Sequence, residues 1–212
     1  MEELVTQYLR GTLPIQEDWV HKLEQQAKKD HVPIMEPVSM HYVMQLIRLK
    51  QPKHILEIGT AIGYSALRMV EAYPEATIIT IEKDEQRYNQ AITNINDVQK
   101  QAQIKVIYGD ALEKIEALAT ANEKFDFIFI DAAKGQYKRF FELANPLLTK
   151  GGLILSDNVL FRGYVANPET TPKKYKKMVE KLIDYNDFLT QHPDFMTTIV
   201  PIGDGVAISL KR

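Results

Sequence analysis

Apolar residues in the first 50 positions recur at helical spacing, and from residue 54 onward they gather into short runs separated by amphipathic stretches. Leu4 to Leu9 reads as a short helix. Ile15 to Ala27 reads as a second, with Trp19, Val20, Leu23 and Ala27 on one face and Pro14 near its start. Pro33 and Pro37 then predict an extended break over His31–Pro37, after which Ser39 reads as the N-cap of a helix carrying Val43, Leu46, Ile47 and Leu49. The apolar runs His54–Ile58, Thr77–Glu82, Ile104–Tyr108, Phe125–Ile130 and Leu153–Ser156 predict five strands. Helical stretches near 64–73, 85–98, 111–121 and 136–148 lie between them. Nearly continuous apolar strands that alternate with helices indicate an α/β fold with a parallel sheet covered on both faces. A loop over Val159–Pro172 follows, then a long helix with Met178, Val179, Leu182, Ile183, Tyr185 and Leu189 on its buried side. Thr197–Ile202 and Val206–Leu210 flank Gly203-Asp204-Gly205, so a closing hairpin makes the sheet mixed.

The chain has 212 residues, enough for one well-buried domain: a helical N-terminal cap over 1–50 and a core over 51–212. Nothing in it resembles a membrane span or a secretory signal, so the expected location is cytoplasmic. The absence of cysteine excludes disulfides, thiolate nucleophiles and cysteine-ligated metals, which leaves oxygen or histidine ligands for any ion. A net charge of -2 gives no global case for binding nucleic acid, although the sum hides any local patch.

Ile55–Ser65 runs from a buried strand through Gly59 and Gly63 into a helix. Such turns lie at the carboxyl ends of parallel strands, where glycine admits positive φ and close approach of a ligand. Glu82, which closes the second strand, stands where doubly wound folds bind ribose hydroxyls, and this points to a nucleoside-bearing cofactor. Gly59-x-x-x-Gly63 is not the dinucleotide fingerprint, which disfavours a pyrophosphate and with it an NAD-dependent oxidoreductase. Asp110-Ala111, after the third strand, is placed to meet an adenine. Two plainer readings stay open: Glu82 beside Lys83 as a solvated pair, and Asp110 as a helix cap. Asp131 ends the fourth strand and Asp157-Asn158 end the fifth. On neighbouring strands these three oxygen-bearing side chains converge, and a hard divalent cation such as Mg²⁺ suits them better than zinc, unless both aspartates only cap the segments that follow. Lys134 lies three residues beyond Asp131. A divalent cation nearby favours the uncharged amine, which can accept a proton.

The motifs L-E-I-G-T-A-I-G-Y-S, I-E-K, G-D-A, F-I-D-A-A-K-G-Q-Y, S-D-N-V-L-F-R-G and P-I-G-D-G-V-A-I together resemble the cation-dependent O-methyltransferases of the catechol and caffeoyl-CoA type. The resemblance covers about residues 30–212. H-V-P-I-M-E, D-A-A-K-G-Q-Y and D-N-V-L-F-R-G are similar to the branch that methylates 5-hydroxyuridine in bacterial tRNA.

That resemblance implies a Rossmann-like class I methyltransferase with a seven-stranded sheet whose last strand is antiparallel. It implies that Met35, Glu57, Gly59, Ser65, Glu82, Asp110, Ala111 and Asp131 bind S-adenosylmethionine. Asp131, Asp157 and Asn158 would hold Mg²⁺ or a similar ion, and Lys134 would be the general base. Members of the family commonly form homodimers. The expected substrate is wobble 5-hydroxyuridine of tRNA. Small catechol-like phenols are the alternative, because both present adjacent oxygens to one ion. A non-catalytic nucleotide- or RNA-binding module ranks below either. Arg162, Lys173 and Lys174 are candidate substrate contacts. With Lys176, Lys177 and Lys181 they form either a phosphate-binding patch or a solvated helix face.

Overall fold

The structure is a computed structural model that describes residues 2–212. In chain order it contains α1 (Glu2–Gly11), α2 (Asp18–Lys29), α3 (Pro37–Lys50), β1 (His54–Ile58), α4 (Tyr64–Ala72), β2 (Thr77–Glu82), α5 (Glu85–Asp97) and β3 (Ile104–Tyr108). There follow α6 (Ala111–Thr120), β4 (Phe125–Ile130), α7 (Tyr137–Ala144), β5 (Leu148–Ser156), α8 (Lys176–Thr190), β6 (Phe195–Val200) and β7 (Val206–Lys211). The strands form one seven-stranded sheet in the order β3-β2-β1-β4-β5-β7-β6. β1 to β5 pair in parallel, and β7 runs antiparallel to both β5 and β6. The mixed, doubly wound sheet expected from the apolar runs is present.

The central strands are apolar on both faces because helices cover both. Leu56 and Ile58 of β1 pack on one side with Ile115, Phe141, Leu182 and Tyr185, from α6, α7 and α8. Ile55 packs on the other with Val20, Leu23, Met44, Ile47 and Leu67, from α2, α3 and α4. The strand order reverses between β1 and β4, which opens a crevice above their carboxyl ends. Among the described residues no helix is long and apolar enough to cross a membrane.

Four local expectations need correction. Glu36, not Ser39, caps α3: its carboxylate accepts from Val38 N at 2.9 Å and from Ser39 N at 3.2 Å. Pro37 is therefore the first residue of the helix rather than part of an extended break, since a helix N1 position does not use its N–H. β5 begins at Leu148, five residues before the expected Leu153, with a register irregularity against β4 between Phe125 and Phe127. The helix expected over 136–148 is split into a tight turn at Lys134–Gln136, α7, and a second tight turn at Asn145–Leu147.

Candidate active site

One cavity of about 720 Å³ occupies the crevice at the strand ends. Its walls come from the α2–α3 connection (Met35, Glu36), the glycine turn (Gly59 to Ala61), the ends of β2 and β3 (Glu82, Asp110, Ala111), and the segments after β4 and β5.

On the side of the glycine turn, Glu82 organises the backbone. Its carboxylate accepts from Ala61 N at 2.8 Å, Lys83 N at 3.0 Å and Asp84 N at 2.9 Å, tying β1's turn to the end of β2. Asp110 does two things at once: it lines the cavity and caps α6 by accepting from Leu112 N at 2.9 Å. Gly59 has φ +105°, and a side chain there would run into the carbonyl oxygen of Asp131. The glycine is therefore needed for close passage of the segment after β4, not only for a ligand.

Glu57 lies one layer below the cavity and does not line it. It is fully buried, with Ser65 Oγ donating to one oxygen and Thr80 Oγ1 to the other at 2.6 Å. Burial pushes its carboxyl up to about 8, although the two hydroxyl donors pull the other way. Ser65 does line the cavity, so Glu57 can act on a ligand only through it. Tyr64, also on the wall, donates its hydroxyl to Glu24 of α2 at 3.0 Å.

On the opposite side, Asp131 N donates to Ile58 O at 3.0 Å and Asp157 N to Ile130 O at 3.0 Å, so the two aspartates stand side by side at the ends of adjacent strands. In an extended strand Asp157 and Asn158 would face opposite ways. Asn158 takes φ 55° instead, a left-handed conformation that asparagine tolerates, and both residues line the cavity. Burial, and then the charge of Asp131, hold Asp157 above the usual carboxylate range. Burial also raises Asp131, which the charge of Lys134 draws partly back. Neither aspartate has an ion-pair partner among the described residues. Two destabilised, unpaired carboxylates beside an amide oxygen form a donor set that a hard cation would complete. Among the described residues no cluster of three or more histidine, cysteine, aspartate or glutamate side chains is placed for a metal, so such a site rests on Asn158 as well as the two acids. Lys134 lines the same cavity from the tight turn before α7.

Residues 14–212 match the model of a protein family described as O-methyltransferase. The chain belongs to that O-methyltransferase family. It is 32% identical over 170 residues to a putative caffeoyl-CoA O-methyltransferase of Arabidopsis thaliana, a match covering 79% of this chain and 73% of that one. A putative caffeoyl-CoA O-methyltransferase from Staphylococcus aureus superposes with a TM-score of 0.91 at 38% identity, covering 99% and 100% of the two chains. An O-methyltransferase from Bacillus cereus, solved in complex with SAH, superposes with a TM-score of 0.87 at 25% identity, covering 99% and 97%.

In this O-methyltransferase the cavity brings together Met35, Gly59, Ser65, Glu82, Asp110, Ala111, Asp131, Lys134, Asp157, Asn158 and Arg162. Lys173 and Lys174 stand outside its wall in a single tight turn before α8. Sequence reasoning missed several wall residues, among them Ser39, Tyr64, Arg87, Phe161 and Asp204. Asp204 was within reach, since Gly203-Asp204-Gly205 marks the hairpin. What the motif does not disclose is that this turn grips the loop after β5: Leu160 N donates to Asp204 O at 2.8 Å, and Val159 N to Gly205 O at 3.0 Å.

Proposed function

We propose that this O-methyltransferase transfers the methyl group of S-adenosylmethionine, with a divalent cation such as Mg²⁺, to the 5-hydroxyl of a wobble 5-hydroxyuridine in tRNA. The observation that carries the reading is the single cavity joining the glycine turn, Glu82 and Asp110 to the corner formed by Asp131, Lys134, Asp157 and Asn158. The Bacillus cereus relative was solved with SAH, the demethylated product of that donor, which supports the donor's identity.

Each residue's part follows from its place. The Glu82 carboxylate keeps acceptor capacity beyond its three backbone donors and faces the cavity, so it suits ribose hydroxyls. Asp110 and Ala111 flank the position of an adenine, and Met35, buried and on the wall, shields the methionine side from water. Asp131, Asp157 and Asn158 would hold the cation, which supplies positive charge that favours the ionised substrate hydroxyl and aligns adjacent oxygens. Lys134 accepts the proton of that hydroxyl. Arg162 at the wall provides a cation for a nucleotide, which favours RNA over a bare phenol. The caffeoyl group named in two of the relatives carries adjacent phenolic oxygens, and this favours a second reading, methylation of catechol-like phenols.

Mass spectrometry of nucleosides from 5-hydroxyuridine-bearing tRNA, incubated with enzyme and S-adenosylmethionine, tests the choice. The expected product is 5-methoxyuridine, formed with Mg²⁺, lost with EDTA and restored by excess Mg²⁺. An unchanged nucleoside profile alongside turnover of simple catechols would establish the second reading.

A further inference from the structure

Two cations and two aromatic rings cluster at the cavity mouth. The Arg162 guanidinium carbon lies 5.6 Å from the ring centre of Phe161 and 5.9 Å from that of Tyr175. Lys174 Nζ lies 4.7 Å from the same Tyr175 ring, and the Phe161 and Tyr175 rings meet edge-on at 5.3 Å. Two like charges thus converge on one aromatic ring, and among the described residues neither has a carboxylate within ion-pair reach. The hydrogen bond and charge of Lys174, with a smaller contribution from Arg162, hold the Tyr175 hydroxyl below its usual range. Aromatic faces steady the cations while leaving their N–H groups free to donate.

The backbone is built to keep this arrangement. Phe161 and Arg162 take φ values of 33° and 55°, left-handed conformations that non-glycine residues seldom adopt. The β6–β7 turn enforces them: Phe161 N donates to Asp204 O at 3.2 Å and Arg162 N to Asp204 Oδ1 at 3.3 Å. An unfavourable backbone held by a second element is a fixed conformation rather than a loose loop. From the cluster, exposed Lys173, Lys176, Lys177 and Lys181 continue the positive charge onto α8, and Lys181 Nζ donates to Gly135 O at 3.1 Å, beside Lys134.

We infer that Arg162, Lys174 and the Tyr175 hydroxyl form a phosphate-binding site that holds the RNA backbone next to the methylated nucleotide. This rests on the tRNA reading above and extends it. A guanidinium, an ammonium and a phenolic hydroxyl around one point match the acceptor oxygens of a phosphodiester. Arg162 lines the same cavity as Asn158 and Asp131, so a phosphate held there belongs to the reacting nucleotide or its neighbour. The further lysines of α8 offer contacts to successive phosphates along a strand.

The test is binding of an anticodon stem-loop RNA carrying 5-hydroxyuridine, measured by fluorescence anisotropy across a salt series, for the wild type, Lys174→Ala, Tyr175→Phe and Arg162→Gln. Removing one phosphate contact in a single-stranded loop lowers the slope of log affinity against log salt by about 0.7. Lys174→Ala and Arg162→Gln are each expected to do so and to reduce kcat/KM for the RNA several-fold, and Lys174→Ala, outside the cavity wall, should affect turnover of free 5-hydroxyuridine nucleoside much less. Wild-type salt slopes in both variants, with the wild-type enzyme still methylating tRNA, would overturn the phosphate site and leave the tRNA reading standing. If the wild type leaves tRNA unmodified but binds caffeoyl-CoA in a Lys174-dependent way, both the RNA assignment and the tRNA reading fail, and the cluster serves a CoA phosphate. Circular dichroism of each variant separates these outcomes from misfolding.

Discussion

Lys134 and Glu57 show how differently two titratable residues near one cavity are used. Lys134 is on the wall, where the proposed reaction has it take the substrate proton. Its replacement by alanine is expected to slow methyl transfer by about 10²- to 10⁴-fold, the usual worth of a general base, while SAH affinity by calorimetry stays within twofold. Loss of SAH binding instead would place Lys134 in donor binding rather than proton transfer. Glu57 is off the wall, and its chemistry is that of the fold. Its carboxyl is raised from 4.5 to about 8, chiefly by burial, so the folded state prefers the protonated form. The stability this contributes is full below about pH 4.5 and is lost as pH rises through about 8. Glu57→Gln, neutral throughout, is expected to remove that loss. The difference in Tm, variant minus wild type, should therefore increase between pH 5 and pH 8.5, and a constant difference would show that Glu57 does not titrate in this window.

Elements were legible in the sequence to different depths. Strand ends were clear because the apolar runs of β1, β2 and β4 stop on Ile58, Glu82 and Ile130, and the side chains that follow them turn toward the crevice. The convergence of Asp131 with Asp157 and Asn158 needed only that β4 and β5 be neighbours, and they are. The cap of α3 was misread because Pro37 signals a break and a helix start equally well, and only the position of the Glu36 carboxylate decides between them. Glu57 reads from its motif as a ligand contact, yet burial behind Ser65 depends on Thr80 of a different strand, which a local motif cannot report. Tyr175 escaped notice because its partners, Phe161 and Arg162, are more than ten residues away across an irregular loop. Gly59 gives the element-scale prediction. Its positive φ and the Asp131 carbonyl both oppose a side chain. Gly59→Ala should therefore cost more than about 2 kcal/mol by chemical denaturation, because backbone must move to admit it. A loss under about 1 kcal/mol would mean that the β4 segment yields freely.

At the scale of the molecule the N-terminal helices are not equivalent. Val20, Leu23 and Ala27 of α2 and Met40, Val43, Met44 and Ile47 of α3 are buried in the core on one face of the sheet. α1 exposes Leu4, Val5 and Tyr8, and its described ion pair is the exposed Arg10 with Glu36, a kind worth at most about 1 kcal/mol. Deleting residues 1–14 should accordingly lower Tm by only a few degrees, whereas deleting residues 1–30 should abolish the cooperative thermal transition. Equal effects of the two deletions would refute the distinction. The sheet order carries one more consequence, for the timing of synthesis. β7 lies between β5 and β6, yet it leaves the ribosome after both. Until it inserts, β6 has no partner on β5, and the turn that grips Phe161 and Arg162 does not exist. At a few to some twenty residues per second, the glycine turn and the strand ends on one side of the cavity are synthesised seconds before the turn that holds its other side. The loop that carries Phe161 and Arg162 is therefore the last part of the cavity wall to be held in place.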